Sequence, residues 1–288
     1  MQFGTKRADD LKLEDVQQGN KSWWTSQTMS YDWHDKVTYP KFSLDWFNEI
    51  DARFLYGARL ISSEANPFHK LMEDGALAGK RVLEIGCGMG FHAEMLAKSG
   101  AILTTIDISP TSVDATRNRF ALKGLSGDVV QMDAEKIDFP DNTFDMVWSW
   151  GVIHHSSRTG RIIREIERVL KPGGVAKLMV YNVGGTLAYL TLMTKYSYKF
   201  WMNKSIDEVL WECSDGFTAR FYTKDIFADQ LFTFFPEVTI EIMGQEADAI
   251  PLPMFIRRHV RRLFSDKIQS EWARRRGFFL YATARKSV

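Results

Sequence analysis

VLEIGCGMG, Val82 to Gly90, decides how this chain of 288 residues folds. Val82 to Ile85 is a short apolar run of strand character with one carboxylate, Glu84, inside it. The loop Gly86-Cys87-Gly88-Met89-Gly90 follows directly, and Phe91 to Lys98 reads as a helix. A strand, a glycine loop and a helix in that order build the mouth of a doubly wound α/β sheet, where ligands bind at the carboxyl ends of the strands. Glycines suit the loop because a side chain would block a ligand from the backbone. The amides that open the helix can receive a negative group such as a carboxylate.

Outward from the loop, strand-like runs alternate with helical segments. The runs are ILTTID (102–107), DVVQMD (128–133), FDMVWSW (144–150) and VAKLMVY (175–181). The second helix has Ser109 as its cap, Pro110 at its first position and a stop at Gly124. A further helix, Gly160 to Leu170, ends at the turn Lys171-Pro172-Gly173-Gly174. Such alternation implies right-handed crossovers and a parallel sheet. After Tyr181 the pattern is interrupted: residues 184–222 are rich in Tyr, Trp, Met and Phe and show no clear strand. A helix over Thr223 to Phe235 and a strand near Val238 to Met243 come next, then a basic helix from Met254 to about Trp272. GFFLYATARK (277–286) is the last strand, expected to run antiparallel.

Ahead of the sheet, residues 1–20 are polar and expected without order, and an aromatic-dense region follows. Trp46, Phe47, Ile50 and Phe54 recur at helical spacing behind Ser43, which predicts a helix there. The expected organisation is an N-terminal helical cap over 1–78, a sheet core over 79–183 and a lid insert over 184–222. Residues 223–288 complete the sheet and carry the basic helix at about 251–275.

Two familiar loops do not fit. A dinucleotide fingerprint needs a glycine where Phe91 stands, and a phosphate-cradling loop needs Gly-Lys-Ser/Thr. The loop with Glu84 before it, then TTIDIS (104–109), QMDAEKIDFPDNTFDMVWSWGVIHH (131–155) and IIREIERVLKPGG (162–174), resembles the class I S-adenosylmethionine (SAM)-dependent methyltransferases. The resemblance covers about a third of the chain, with the motifs in family order. It implies a seven-stranded Rossmann-like sheet, mostly parallel with the last strand antiparallel. It implies SAM as cofactor and S-adenosylhomocysteine as product. Gly86, Cys87, Gly88 and Gly90 would approach the methionine part, with Glu84 organising the loop or the amino group. Asp107 would take the ribose hydroxyls, Ile108 would pack on the adenine, and Asp133 with Ala134 would bind the adenine edge. Trp150 and Gly151 would line the space nearest the sulfonium.

Methyl transfer is an in-line displacement at an electrophilic methyl group, so alignment matters most and a base is needed only where the nucleophile keeps its proton. His154 and His155 follow the fourth strand, and Tyr181 and Asn182 end the fifth. The three candidates for acid–base work are His154, His155 and Tyr181, though loop fixation explains the histidine pair equally well. Tyr31, Trp33, Tyr39 and Trp201, together with His34 and Trp211, are candidates to surround an acceptor, against the plainer reading that they hold the cap to the core.

Composition narrows the classes. A net charge of +1 offers no general attraction to nucleic acid, and two distant cysteines suit neither a disulfide framework nor a zinc site. No run is apolar and long enough to cross a bilayer, so a cytoplasmic protein is expected. Ile256, Val260, Leu263 and Phe264 are expected to form an inward stripe on the basic helix, with its arginines on a solvated face; peripheral membrane contact is the disfavoured alternative. The function expected is methyl transfer from SAM to a small molecule at O, N or C. Cyclisation of SAM with release of methylthioadenosine, and a non-catalytic SAM-binding scaffold, stand as alternatives.

Overall fold

The glycine loop leaves the middle of a sheet. In a computed structural model, which describes residues 12–27, 29–31, 36–62, 64–196, 209, 212 and 214–288, β1 (Arg81–Ile85) pairs in parallel with β2 (Ile102–Asp107) on one side and β4 (Phe144–Trp150) on the other. β3 (Asp128–Gln131) flanks β2, and β5 (Leu170–Asn182) flanks β4, both in parallel. β8 (Phe279–Arg285) runs antiparallel between β5 and β7 (Glu237–Met243). The order is therefore β3-β2-β1-β4-β5-β8-β7, a Rossmann-like sheet of the expected kind. One strand was unforeseen: β6 (Phe221–Tyr222), two residues paired with the end of β5. The expected Lys171–Gly174 turn sits inside β5, where the pairings Phe144↔Leu170 and Met146↔Val175 leave it looped out.

Helices cover both faces, so the central strands are apolar on both sides. Leu83 and Ile85 point to a cluster with Ile162, Ile163 and Ile166 of α6 (Thr159–Val169). Val82 points the other way, to a cluster with Leu96 of α4 (Phe91–Lys98) and Val113 of α5 (Pro110–Lys123). The caps of α5 hold as read: Ser109 Oγ accepts from Ser112 N, Pro110 opens the helix, and Gly124 closes it at φ +62°.

Among the described residues three helices precede the sheet, the last of them α3 (Phe68–Met72), whose Phe68 and Met72 are buried. In α2 (Leu44–Ala58) the Ser43 side chain accepts from Trp46 N, and Trp46, Phe47 and Ile50 are buried. α1 (Leu13–Ser26) corrects the expectation that residues 1–20 lack order, at least from Leu13 on. Its composition is polar because the face it docks is polar: Gln17 donates to Asp133, and Asn20 to the His155 carbonyl. α2 is fastened to the core by charge. Fully buried Arg119 of α5 pairs with Asp51 of α2 and with Glu94 of α4, the latter at 2.6 Å. Burial opposes ionisation of Glu94, but hydrogen bonds from Lys123 and Lys98 and the Arg119 charge outweigh it and hold its pKa at about 2. Arg119→Met would leave two carboxylates facing each other without their guanidinium. Urea unfolding at neutral pH should show a loss of about 3–5 kcal/mol; a loss under ~1 kcal/mol would contradict this role.

α7 (Thr186–Thr191) follows β5, and after β6 come α8 (Lys224–Phe232) and α9 (Glu246–Ala249). The single basic helix expected from Met254 to Trp272 is two helices, α10 (Met254–Val260) and α11 (Asp266–Arg275), joined by the 3-10 turn Arg261–Leu263. Ser265 caps α11 by accepting from Ile268 N, a start signal the continuous reading passed over. The orientation of α10 is also corrected. Arg257 and Arg261, one turn apart, face inward to the Glu246 carboxylate at 3.4 and 3.3 Å, and Arg59 of the segment after α2 joins them. Val260 and Phe264 pack inward on Leu60 and Ile250, but Ile256 and Leu263 face solvent. Among the described residues, no helix is long and apolar enough to cross a membrane.

Candidate active site

A cavity of about 560 Å³ opens at the carboxyl ends of β1, β2 and β4, beneath α1 and α2. The glycine loop forms its floor. A Cβ on Gly86, at φ +85°, would collide with Val152. Gly88, at φ +50°, has nothing within 4 Å of where a Cβ would point, so its backbone is open to the cavity. Gly90 does not line the cavity; it packs against Thr116 and Arg119 at the start of α4. Glu84 lies beneath the loop rather than in the lining, where it accepts from Thr105 Oγ1 at 2.5 Å. Burial, and then the Asp107 charge, push its pKa up to about 8, so it holds a proton at neutral pH against the opposing Thr105 hydrogen bond. Cys87 lines the cavity, but burial and the Asp107 and Glu84 charges raise its thiol pKa, which makes it an inert surface.

Asp107 closes β2 and ties the loop to the next turn. One carboxylate oxygen accepts from Gly88 N at 3.1 Å and the other from Ser109 N at 2.8 Å. Asp107 itself lines the cavity, so its carboxylate borders the space a ligand would fill. Ile108, Asp133 and Ala134 continue the same wall. One oxygen of Asp133 accepts from Gln17 Nε2 and from Glu135 N, both at 2.8 Å, so it caps its own loop as well as facing the cavity. α1 thus roofs this end, and Ser109 Oγ fixes the roof by donating to the Trp24 carbonyl.

The other end holds a polar cluster in an aromatic chamber. Adjacent in sequence, the two histidines part ways. His154 is fully buried behind the wall and stacks between His155 and Tyr181 with centroids at 4.1 and 4.0 Å. Burial, and then His155, push its pKa well down. His155 faces the cavity, and its Nδ1 lies 2.7 Å from the Thr218 carbonyl. A carbonyl only accepts, so Nδ1 carries the proton and Nε2 is left as a basic nitrogen. That Nε2 is buried and has no hydrogen-bond partner among the described residues. Burial lowers the His155 pKa, against the raising effects of Asp215 and the Thr218 contact. Tyr181 Oη donates to Asp215 Oδ1 at 2.7 Å, and both residues line the cavity beside His155. Phe54, Ile61, Phe91, Trp150, Met179 and Phe279 supply the apolar remainder of this chamber.

Gly151 and Tyr31 also belong to the lining, whereas Tyr39 sits on the surface outside it, 47% exposed. Asn182 is buried at the end of β5 and spends its amide on the Gly277 carbonyl. Trp33, His34, Trp201 and Trp211 lie outside the described residues. Asp215, Gln17, Asn20 and Trp24 escaped the sequence reading: each reaches the cavity from a segment with no motif of its own. His92 also lines the cavity, with Nε2 unpartnered among the described residues; burial among aromatic rings and then the Arg119 charge push its pKa to about 3. Among the described residues no group of three or more His, Cys, Asp or Glu could hold a metal ion.

Residues 83–178 match the family model described as a methyltransferase domain. A ubiquinone biosynthesis O-methyltransferase of Coxiella burnetii is 32% identical over 172 residues, 58% of this chain and 70% of that protein. A probable phthiotriol/phenolphthiotriol dimycocerosates methyltransferase of Mycobacterium ulcerans is 38% identical over 111 residues, 38% of this chain and 42% of that protein. The chain spans less than half the length of several curated relatives it matches, the M. ulcerans protein among them. Among solved structures, a SAM-dependent methyltransferase of Methanosarcina mazei superposes with a TM-score of 0.53 at 18% identity, over 76% of this chain and 97% of that one.

Proposed function

Because the chain belongs to the class I SAM-dependent methyltransferases, with SAM as cofactor, we propose that it transfers the SAM methyl group to a small, largely apolar acceptor held beside His155. The observation that carries this reading is that one cavity is lined by Gly88, with its open face, by Asp107 and by His155, whose Nε2 has no hydrogen-bond partner among the described residues. The residues present fit the cofactor: an open glycine backbone for its amino-acid part, a carboxylate on the cavity wall for the ribose hydroxyls, and Ile108 with Asp133 and Ala134 for a flat heterocycle. When bound, SAM supplies a sulfonium methyl group that is electrophilic toward a nucleophile in line with the sulfur.

This chain's own residues do the rest. The aromatic chamber excludes water and holds an apolar acceptor against the donor end. His155 Nε2 takes the acceptor's proton where the nucleophile bears one, with its tautomer fixed by the Thr218 carbonyl. Tyr181, its hydroxyl committed to Asp215, orients the acceptor's polar end. The relatives named above act, by their names, on ubiquinone precursors and phthiotriol dimycocerosates, and an apolar chamber suits acceptors of that lipid-like class.

Incubation with methyl-labelled SAM and an apolar metabolite extract, read by mass spectrometry, tests the reading. S-adenosylhomocysteine together with a labelled acceptor is expected. Methylthioadenosine without labelled product would replace transfer by cyclisation of the cofactor, and bound but unconsumed SAM would mark a scaffold.

A further inference from the structure

α10 and the turn after it hold Arg257 and Arg261 inward and turn Phe255, Ile256 and Leu263 outward, unlike a soluble surface helix, which buries its large apolar side chains. Glu246 causes the reversal. Its carboxylate, only 17% exposed, collects Arg59, Arg257 and Arg261, and this fixes which side of α10 faces the core. The opposite side then presents Phe255 (67% exposed), Ile256 and Leu263 (77% exposed), with Leu252 of the Pro251–Pro253 turn beside them. Scattered single apolar residues on a surface are ordinary; four within twelve residues form a patch that marks a partner.

Charge identifies the partner. From Ile250 to Ser265 the chain has four arginines and no carboxylate. Two of the four neutralise Glu246, while Arg258 and Arg262 are exposed among the apolar side chains and form no ion pair among the described residues. Large apolar side chains interleaved with guanidinium groups that no carboxylate neutralises among the described residues complement the headgroup boundary of an anionic bilayer, where the chains enter the acyl region and the arginines meet phosphates. The patch also stands on the wall of the cavity: Gly57, Ala58 and Gln245 line the cavity, and the adjoining Arg59 and Glu246 support α10 from beneath.

We propose that α10 and the Pro251–Pro253 turn form a peripheral docking surface for anionic membranes, through which the chain takes an apolar acceptor from the bilayer. The second half of this statement rests on the methyltransferase reading above; the docking does not. Flotation of the full chain with vesicles of phosphatidylcholine alone and of phosphatidylcholine mixed with phosphatidylglycerol tests it. Binding is expected only to the anionic vesicles, and it should weaken as salt rises. Phe255→Ser/Ile256→Ser/Leu263→Ser should reduce binding to background, and Arg258→Gln/Arg262→Gln should weaken it roughly thirtyfold. These residues lie outside the cavity lining, so both variants should titrate with SAM as the unmodified chain does. Vesicle binding by a chain that fails to bind SAM would leave the docking intact and remove the methyltransferase reading. Three results would overturn the docking: no binding to anionic vesicles, undiminished binding by the variants, or a dimer in velocity sedimentation that the apolar triple variant turns into a monomer.

Discussion

His155→Ala should lower kcat by roughly 10²–10⁴-fold for an acceptor that must lose a proton, the usual scale for removing a positioned base. SAM affinity should stay within about threefold, because the imidazole sits at the acceptor end of the cavity and the proposed donor contacts lie at the other. The pH profile separates a base from a packing residue. Burial sets the His155 pKa below the ordinary value near 6.5, so Nε2 is free of its proton at neutral pH. The rate should be flat through pH 7 and fall only as acid protonates the ring at a lower pH. In His155→Ala that acid limb should be missing. His154→Ala should do something different: it removes a buried ring stacked against His155 and Tyr181, so it should cost stability and leave the acid limb where it was. A His155→Ala enzyme within tenfold of the parent, with its acid limb retained, would remove the base assignment.

Which parts of this picture the sequence discloses follows from the range of the forces involved. The helices starting at Ser43 and Ser109 and the end of α5 at Gly124 are set by groups within three or four residues of each other, and they are found where the caps predict them. The strand–glycine–helix unit and Asp107 are equally local. The acceptor end is different. His154 and His155 are indistinguishable in sequence; what turns one of them to the cavity is a carbonyl 63 residues away at Thr218. Asp215 reaches Tyr181 across 34 residues, and Gln17 reaches Asp133 across 116. Glu246 decides the facing of α10: of the apolar stripe read there, Val260 and Phe264 pack inward, while the ion cluster takes the inward side beside them and leaves Ile256 and Leu263 to solvent. α1 escapes the hydrophobic pattern for a related reason: the side it buries carries Gln17 and Asn20, not an apolar stripe.

Asp107→Ala should weaken SAM binding by about 10²–10⁴-fold. Hydrogen bonds from neutral donors to a carboxylate contribute about 1.5–3 kcal/mol each, and the proposed ribose contact uses two. The substitution also frees Gly88 N and Ser109 N, which the carboxylate holds now, so part of the loss comes from a slackened loop. Asp107→Asn is intermediate: its one amide oxygen can accept from Gly88 N or from Ser109 N but not from both, and the charge is gone. Its affinity should fall between that of the parent and that of Asp107→Ala.

Calorimetric titration of the full chain and of Asp107→Ala with SAM therefore addresses the central claim, that the cavity floored by the glycine loop is the donor site. One SAM per chain is expected for the parent, with affinity at least a hundredfold weaker in a variant that circular dichroism shows folded at the temperature of titration. Absent binding by the parent, or equal affinity in the two proteins, would contradict it.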